Sequence, residues 1–129
     1  MSRSADLRPT LHDGFLDGFL SRGAEIRVFA RTDKKVPVTL ILSGVKRFSV
    51  NGFAEGNIIL DCAILSSDDI SEDILVLLNH GEDRERYLAP LRAIVSDQSH
   101  QVLMITPSYG ATLVALHEQL AVVEGTIMD

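Results

Sequence analysis

The stretch AEIRVFARTDKKVPVTLILSGV, residues 24–45, decides the fold class. Apolar side chains recur at every second position, first from Ala24 to Ala30 and again from Val36 to Leu42. This period of two is typical of half-buried β-strands, in which neighbouring side chains point to opposite faces. Asp33 lies in the intervening TDKK segment, where it favours a turn. The stretch therefore predicts two β-strands joined by a turn.

Other segments with strand patterns follow this pair. KRFSV at 46–50 is predicted to be a short strand, and NIILDCAIL at 57–65 is apolar on both faces apart from one acid, as in a central strand. QVLMITP at 101–107 and ATLVALHEQLAVVE at 111–124 are predicted to be the last two strands. In the longer of these, Glu118 does not fit the alternation.

The segment between these strands has a helical character. A helix is predicted over about 69–79, where apolar side chains at helical spacing precede Gly81, a residue suited to the position after a helix end. The alternative for ILVLL at 74–78 is a strand. A second apolar helical face runs from Tyr87 to Val95. Pro90 either kinks this second helix or marks its first turn.

Together these patterns predict an α+β fold with a largely antiparallel β-sheet of about six to seven strands. A helical segment at about 69–97 is inserted before the last two strands. Residues 1–10 are polar and are predicted to form a flexible N-terminal tail. Residues 11–129 are predicted to form a single domain, since a chain of 129 residues suits one hydrophobic core.

Composition limits the classes of function. The chain carries 18 acidic and 12 basic residues, a formal charge of −6, which disfavours nucleic-acid binding because phosphate neutralisation needs clustered Lys and Arg. The single cysteine, Cys62, cannot form an internal disulfide, and no apolar run is long enough to span a membrane. We therefore expect a cytoplasmic protein. Hydrophobic residues make up 46% of the chain, and we expect a second copy to cover some of them in a homodimer.

The stretch HDGFLDGFLS, residues 12–21, raises the question of a chemical site. A calcium loop that begins at Asp13 would have Phe15 and Ala24 at two ligand positions, and neither side chain offers an oxygen. A His12–Asp13 metal pair would need further ligands, and on a regular strand these two side chains point to opposite faces. The longer segment LHDGFLDGFLSRG, residues 11–23, is instead predicted to be a bent or bulged strand. Two closely spaced glycines disfavour a helix by about 1 kcal/mol each.

Four residues remain as candidates for a site: His12, Asp13, Asp17 and Asp61. Asp61 is the oddest charge, because it interrupts an apolar strand. It either faces a groove or pairs with an arginine such as Arg27. Cys62 is predicted to be an inert core residue, and we expect neither a cofactor nor a metal ion.

Three segments, LHDG, VTLILSGVKRF and EGNIILD, resemble a group of small bacterial β-rich domains that open with a Leu/Phe-His-Asp-Gly/Ala motif. The resemblance covers roughly residues 11–65. Most members of the group are uncharacterised, and some are similar to immunity proteins that neutralise secreted toxins. The resemblance implies a protein partner and supplies no catalytic residues.

The sequence thus leads to two hypotheses of different classes. The first is a non-enzymatic binding domain, immunity-like, that uses an exposed sheet face or edge strand to contact a protein. The alternative is a metal-dependent or acid–base enzyme that uses the region of His12 and Asp13, with Asp17 and Asp61 as further candidate residues.

Overall fold

The computed structural model describes residues 5–6 and 9–129, and these contain nine β-strands, two α-helices and a short 3₁₀ helix. The strands are β1 (Ala5–Asp6), β2 (Phe15–Arg22), β3 (Glu25–Arg31), β4 (Pro37–Ser43), β5 (Arg47–Asn51), β6 (Asn57–Leu65), β7 (Gln101–Tyr109), β8 (Thr112–His117) and β9 (Gln119–Glu124). The helices are α1 (Glu72–Leu78) and α2 (Glu85–Ser96), and the 3₁₀ helix spans Ser67–Asp69.

All nine strands belong to one antiparallel sheet that closes on itself. Its hydrogen-bonded order is β5-β8-β7-β6-β2-β3-β4-β9, with β1 beside β6. Only Glu118 separates β8 from β9, and its N–H donates to Ser43 O at 3.0 Å. β8 pairs with β7, and β9 pairs with β4. β8 also pairs with β5, the strand at one end of the order, and continues almost directly into β9, the strand at the other end, so the sheet surrounds an enclosed interior.

The interior of the closed sheet is the main hydrophobic core. It is filled by the inward-facing side chains of several strands, including Val28, Leu40, Ile105 and Leu113, all of them fully buried. Burial of one such side chain stabilises the fold by about 1.5–3 kcal/mol. The alternation in residues 24–42 is therefore the pattern of a sheet with one face in this core.

A second core lies between the helices and the outer face of β6, β7 and β8. On the sheet it includes Val102 and Val114, and on the helices it includes Leu78 and Leu91. The parts of these strands that lie beneath the helices are consequently covered on both faces. In β6 this explains the apolar second half, where Ala63 and Leu65 lie in the second core, whereas Ile58 and Leu60 in the first half are exposed.

Local signals explain the limits of the helices. Ser71 is the N-cap of α1, with its Oγ accepting the Ile74 N–H at 3.4 Å. After α1, Gly81 has a φ of 86° and its N–H donates to Val76 O, as in a helix C-terminus. Pro90 lies inside α2 and is not its first residue, so one backbone hydrogen bond of that helix is missing.

The structure confirms the α+β class and the antiparallel sheet, but the predicted number of six to seven strands is too low. One cause is Glu118, which divides the last predicted strand into β8 and β9. Both helices lie within the predicted helical segment at about 69–97. The predicted flexible tail at 1–10 falls mostly outside the described residues, and its described part includes β1. In the part of the chain that is described, no helix is long and apolar enough to cross a membrane.

Candidate functional site

The Leu-His-Asp-Gly motif forms a tight corner against β6. Gly14 N–H donates to Leu11 O at 2.8 Å, and Asp13 adopts a left-handed φ of 62°. The corner is fixed to β6 by two backbone bonds of 2.9 Å, from Asp13 N–H to Ile59 O and from Ile59 N–H to Gly14 O. A Cβ atom on Gly14 would collide with Arg31 O. The Asp-Gly pair is therefore explained by backbone geometry.

His12 contacts the carbonyl of a bulged residue. The register of β6 and β7 shifts between Ile59 and Asp61, so Leu60 lies outside the ladder. His12 Nδ1 bonds Leu60 O, and since a carbonyl only accepts, the ring donates from Nδ1. Its Nε2 lies 3.5 Å from an Asp13 carboxylate oxygen. The imidazole thus satisfies a carbonyl that the bulge leaves out of the sheet.

Asp17 lies at a second bulge, where the register of β2 and β3 shifts between Leu16 and Gly18. Its two carboxylate oxygens accept hydrogen bonds from Arg31 Nε at 2.8 Å and Nη2 at 2.9 Å. This bidentate hydrogen bonding and the charge of Asp17 raise the pKa of Arg31. The same guanidinium lies 4.7 Å from the centre of the Phe15 ring. Asp17 is therefore paired with Arg31.

Asp61 is exposed on β6, directly after the bulged residue Leu60. The arginine expected as its partner, Arg27, instead lies 3.2 Å from Glu25 and donates to the carbonyl oxygens of Ile127 and Asp129. Of the four candidates, His12 and Asp13 contact each other.

Across the described residues, no group of three or more His, Cys, Asp or Glu side chains is placed to hold a metal ion. Asp17 is engaged with Arg31, as described above.

Asp17 and Arg31 form one wall of a pocket of about 180 Å³. Phe15 and Phe53 contribute aromatic walls, and the loop at 52–56 closes the pocket. Its wall thus combines an ion pair with aromatic rings.

Asn57 fixes this loop. Its Oδ1 accepts the N–H groups of Ala54 at 2.8 Å and Ala111 at 3.1 Å, and its Nδ2 donates to Leu16 O at 3.2 Å and Ala54 O at 2.9 Å. The side chain is buried, and a Cβ atom on Gly110 would collide with it. One amide therefore connects β2, the loop and the turn between β7 and β8.

An exposed apolar surface lies beside the pocket, and we call it the aromatic face. It comprises Phe19, Phe53, Ile58, Leu60 and Tyr109, each between 36% and 50% exposed. Phe19 and Phe53 make an edge-to-face contact with ring centres 5.9 Å apart, and Ile58 pairs across the sheet with Tyr109. The apolar groups therefore extend across β2, the 52–56 loop, β6 and β7.

Carboxylates flank the aromatic face, and we call them the acidic rim: Asp13, Asp17, Glu55 and Asp61. The Tyr109 hydroxyl donates to Glu55 at 3.0 Å. A backbone hydrogen bond and this hydroxyl lower the pKa of Glu55, which is consequently ionised at neutral pH. Arg31 is engaged with Asp17, so the rim has a net negative charge.

The remaining polar groups of interest are buried elsewhere. Burial, and secondly the charge of Asp61, raise the pKa of Cys62 to about 12, so the thiol is protonated and a poor nucleophile at neutral pH. Burial lowers the pKa of His117, outweighing its bond from Nδ1 to Ala115 O.

His100 is also buried, beside a polar pocket of about 270 Å³ at the start of β7. Its Nδ1 lies 2.9 Å from Ser99 Oγ. The Nε2 atoms of His100 and His117 have no hydrogen-bond partner among the described residues.

Sequence reasoning did not find Phe53, Tyr109 or Asn57. The alternating pattern shows which side of a strand is apolar, but it does not show which strands become neighbours. Tyr109 and Ile58 lie 51 positions apart and meet only through the β6–β7 ladder. No local pattern indicates that Asn57 would anchor the loop at 52–56.

No family model, curated protein or solved structure matches this chain.

Proposed function

We propose that this chain is a non-enzymatic domain that binds a partner protein through the aromatic face. The observation that supports the proposal is the set of exposed apolar side chains on the aromatic face, which includes Phe53 and Tyr109, together with the acidic rim. Protein interfaces are enriched in aromatic residues at the centre and are polar around it. A few such aromatic anchors supply most of the binding free energy in many complexes.

Charge selects the kind of partner. The acidic rim attracts a surface that carries Lys or Arg, and the formal charge of −6 acts in the same direction. The resemblance to immunity-like domains implies a secreted toxin as partner, and a toxin with a basic surface would suit this rim. The proposal includes a cytoplasmic location, supported by the single reduced cysteine Cys62.

The enzyme alternative has less support. The Nδ1–H group of His12 donates to Leu60 O. The other ring nitrogen, Nε2, lies 3.5 Å from an Asp13 carboxylate oxygen. Both side chains are more than half exposed, and an exposed pair lacks the low-dielectric surroundings that strengthen catalytic groups. The geometry therefore favours a structural role for this pair.

The test is affinity capture with identification of the retained proteins by mass spectrometry. The tagged wild-type chain is compared with a Phe53→Ser/Tyr109→Ser variant and with Tyr87→Ser as the matched control. Tyr87 is an equally exposed aromatic residue, but it lies on α2.

We expect a protein with a basic surface that the wild-type chain and the Tyr87→Ser control retain, that the double variant loses, and that elutes at high salt. Equal retention of that protein by the double variant would contradict the proposal. So would a wild-type chain that retains no protein above the empty resin.

A further inference from the structure

One edge of β9 pairs with no strand in the part of the chain that the structure describes. The strand is terminal in the order of the sheet, and β4 is its ladder partner among the described residues. Its sequence, QLAVVE, contains neither Lys nor Pro, and its register with β4 is regular throughout. Charged residues, prolines and bulges are the usual means by which edge strands avoid pairing with another chain. β9 has no Lys, Pro or bulge along this edge, and its one charged residue is Glu124 at the end of the strand.

The ladder shows which backbone groups point away from β4. Gly125 N–H donates to Pro37 O at 2.8 Å, and hydrogen-bonded pairs alternate along an antiparallel ladder. The backbone N–H and C=O groups of residues 119, 121 and 123 therefore point towards β4. The N–H and C=O groups of Leu120, Val122 and Glu124 point to the open edge.

The residues that follow β9 turn away from this edge. Ile127 N–H donates to Thr39 Oγ1 at 3.0 Å, and Arg27 donates to the carbonyl oxygens of Ile127 and Asp129. The end of the chain thus lies over β3 and β4. The open edge of β9 stays accessible.

We propose that a second copy of this chain occupies the edge, with the two β9 strands antiparallel about a two-fold axis at Val122. In this register the edge-facing groups of Val122 bond their counterparts, and Leu120 bonds Glu124 of the second copy. Ala121 lies opposite Val123 of the second copy. This contact covers the side chains of Ala121 and Val123, which are exposed on the outer face of the sheet. No like charges are opposed.

Charge also selects this register and this edge. A two-fold axis at Ala121 would place Glu118 opposite Glu124 of the second copy, and like charges directly opposite each other are unfavourable. The aromatic face does not suit a symmetric dimer, because its acidic rim would face itself. The dimer inferred here uses a different strand and does not depend on the proposed partner protein.

The experiment measures oligomeric state by analytical ultracentrifugation over a range of micromolar concentrations. We expect the wild-type chain to be a dimer. Two double variants, Ala121→Lys/Val123→Lys and Ala121→Glu/Val123→Glu, should each be monomeric, because each new charge lies opposite a like charge. An equimolar mixture of the two should form heterodimers. Ser21→Lys, an exposed site on β2, is the control and should stay dimeric.

A monomeric wild-type chain would overturn the inference, as would double variants that dimerise like the wild type. A mixture that stays monomeric would refute the proposed register. If the double variants do not fold, amide hydrogen exchange of the wild-type chain decides. Exchange at Leu120, Val122 and Glu124 should slow as protein concentration rises, and rates independent of concentration would contradict the dimer.

Discussion

Replacement of Asn57 by alanine should destabilise the domain more than any exposed substitution near the aromatic face. The side chain is 4% exposed and makes four hydrogen bonds to backbone groups. Two of these partners, Ala111 N–H and Leu16 O, belong to residues that are only 1% exposed. The Ala54 groups are nearer the surface, where water can replace the amide. The substitution therefore leaves two buried backbone groups without a partner.

The magnitude follows from that count. A buried donor or acceptor left unsatisfied costs about 1–3 kcal/mol, so the two groups together cost roughly 4 kcal/mol. For a domain of this length, 1 kcal/mol corresponds to a change in Tm of roughly 4 °C, and the expected fall is therefore about 15 °C. The loop that carries Phe53 and Glu55 should also lose its anchor.

The assay is urea unfolding followed by circular dichroism, with thermal unfolding as a second measurement. Asn51→Ala is the matched control, because Asn51 is exposed and its side chain makes a single 3.3 Å bond to Ser49 Oγ. We expect the control to change the free energy of unfolding by less than about 0.5 kcal/mol. A loss below about 1 kcal/mol for Asn57→Ala would refute the reasoning.

Three further predictions concern single sites. Gly14→Ala should lower the free energy of unfolding by about 2 kcal/mol or more, because the added Cβ atom collides with Arg31 O; a urea midpoint equal to that of the wild type would show that the corner has room. Cys62 should react with a thiol reagent at pH 8 only in urea, because its pKa is about 12 in the folded protein; rapid modification of the native chain would contradict its burial. His117 has a lowered pKa when folded, so its contribution to stability is complete above the unfolded value of about 6.5 and is lost as pH falls towards the folded value. The difference in urea midpoint between pH 7.5 and pH 5 should shrink in His117→Leu, and an unchanged difference would assign it to other groups.

The strands could be predicted from the sequence because period-two alternation is a relation between residues that are close together in the chain. The prediction of a bent or bulged strand at 11–23 is confirmed for β2 by the register shift at Asp17, which the closely spaced glycines had indicated, whereas residues 11–14 form a corner that precedes the strand. The division at Glu118 was visible as a break in alternation, but the pattern did not show that two strands begin and end there. Whether such a break divides a strand depends on its pairing partners, here β4 and β7, which lie far away in the chain.

The candidate site was harder to predict for the same reason. His12 bonds Leu60 O, which is left out of the ladder by a bulge that no local pattern indicates. The aromatic face arises where β2, β6 and β7 become neighbours, so its residues share no motif. Net charge was available from composition, whereas the position of Glu55 beside Tyr109 required the fold.

The central claim is that the aromatic face is the surface that binds a basic partner protein. The most direct test is the Kd of the partner identified by affinity capture for three chains: the wild type, Phe53→Ser/Tyr109→Ser and the Tyr87→Ser control. Two aromatic anchors at about 1.5–2 kcal/mol each, about 3–4 kcal/mol together, predict that the double variant binds roughly 150- to 800-fold more weakly, while the control binds like the wild type. A double variant that binds within about threefold of the wild type would contradict the claim, since this is a difference of less than about 1 kcal/mol.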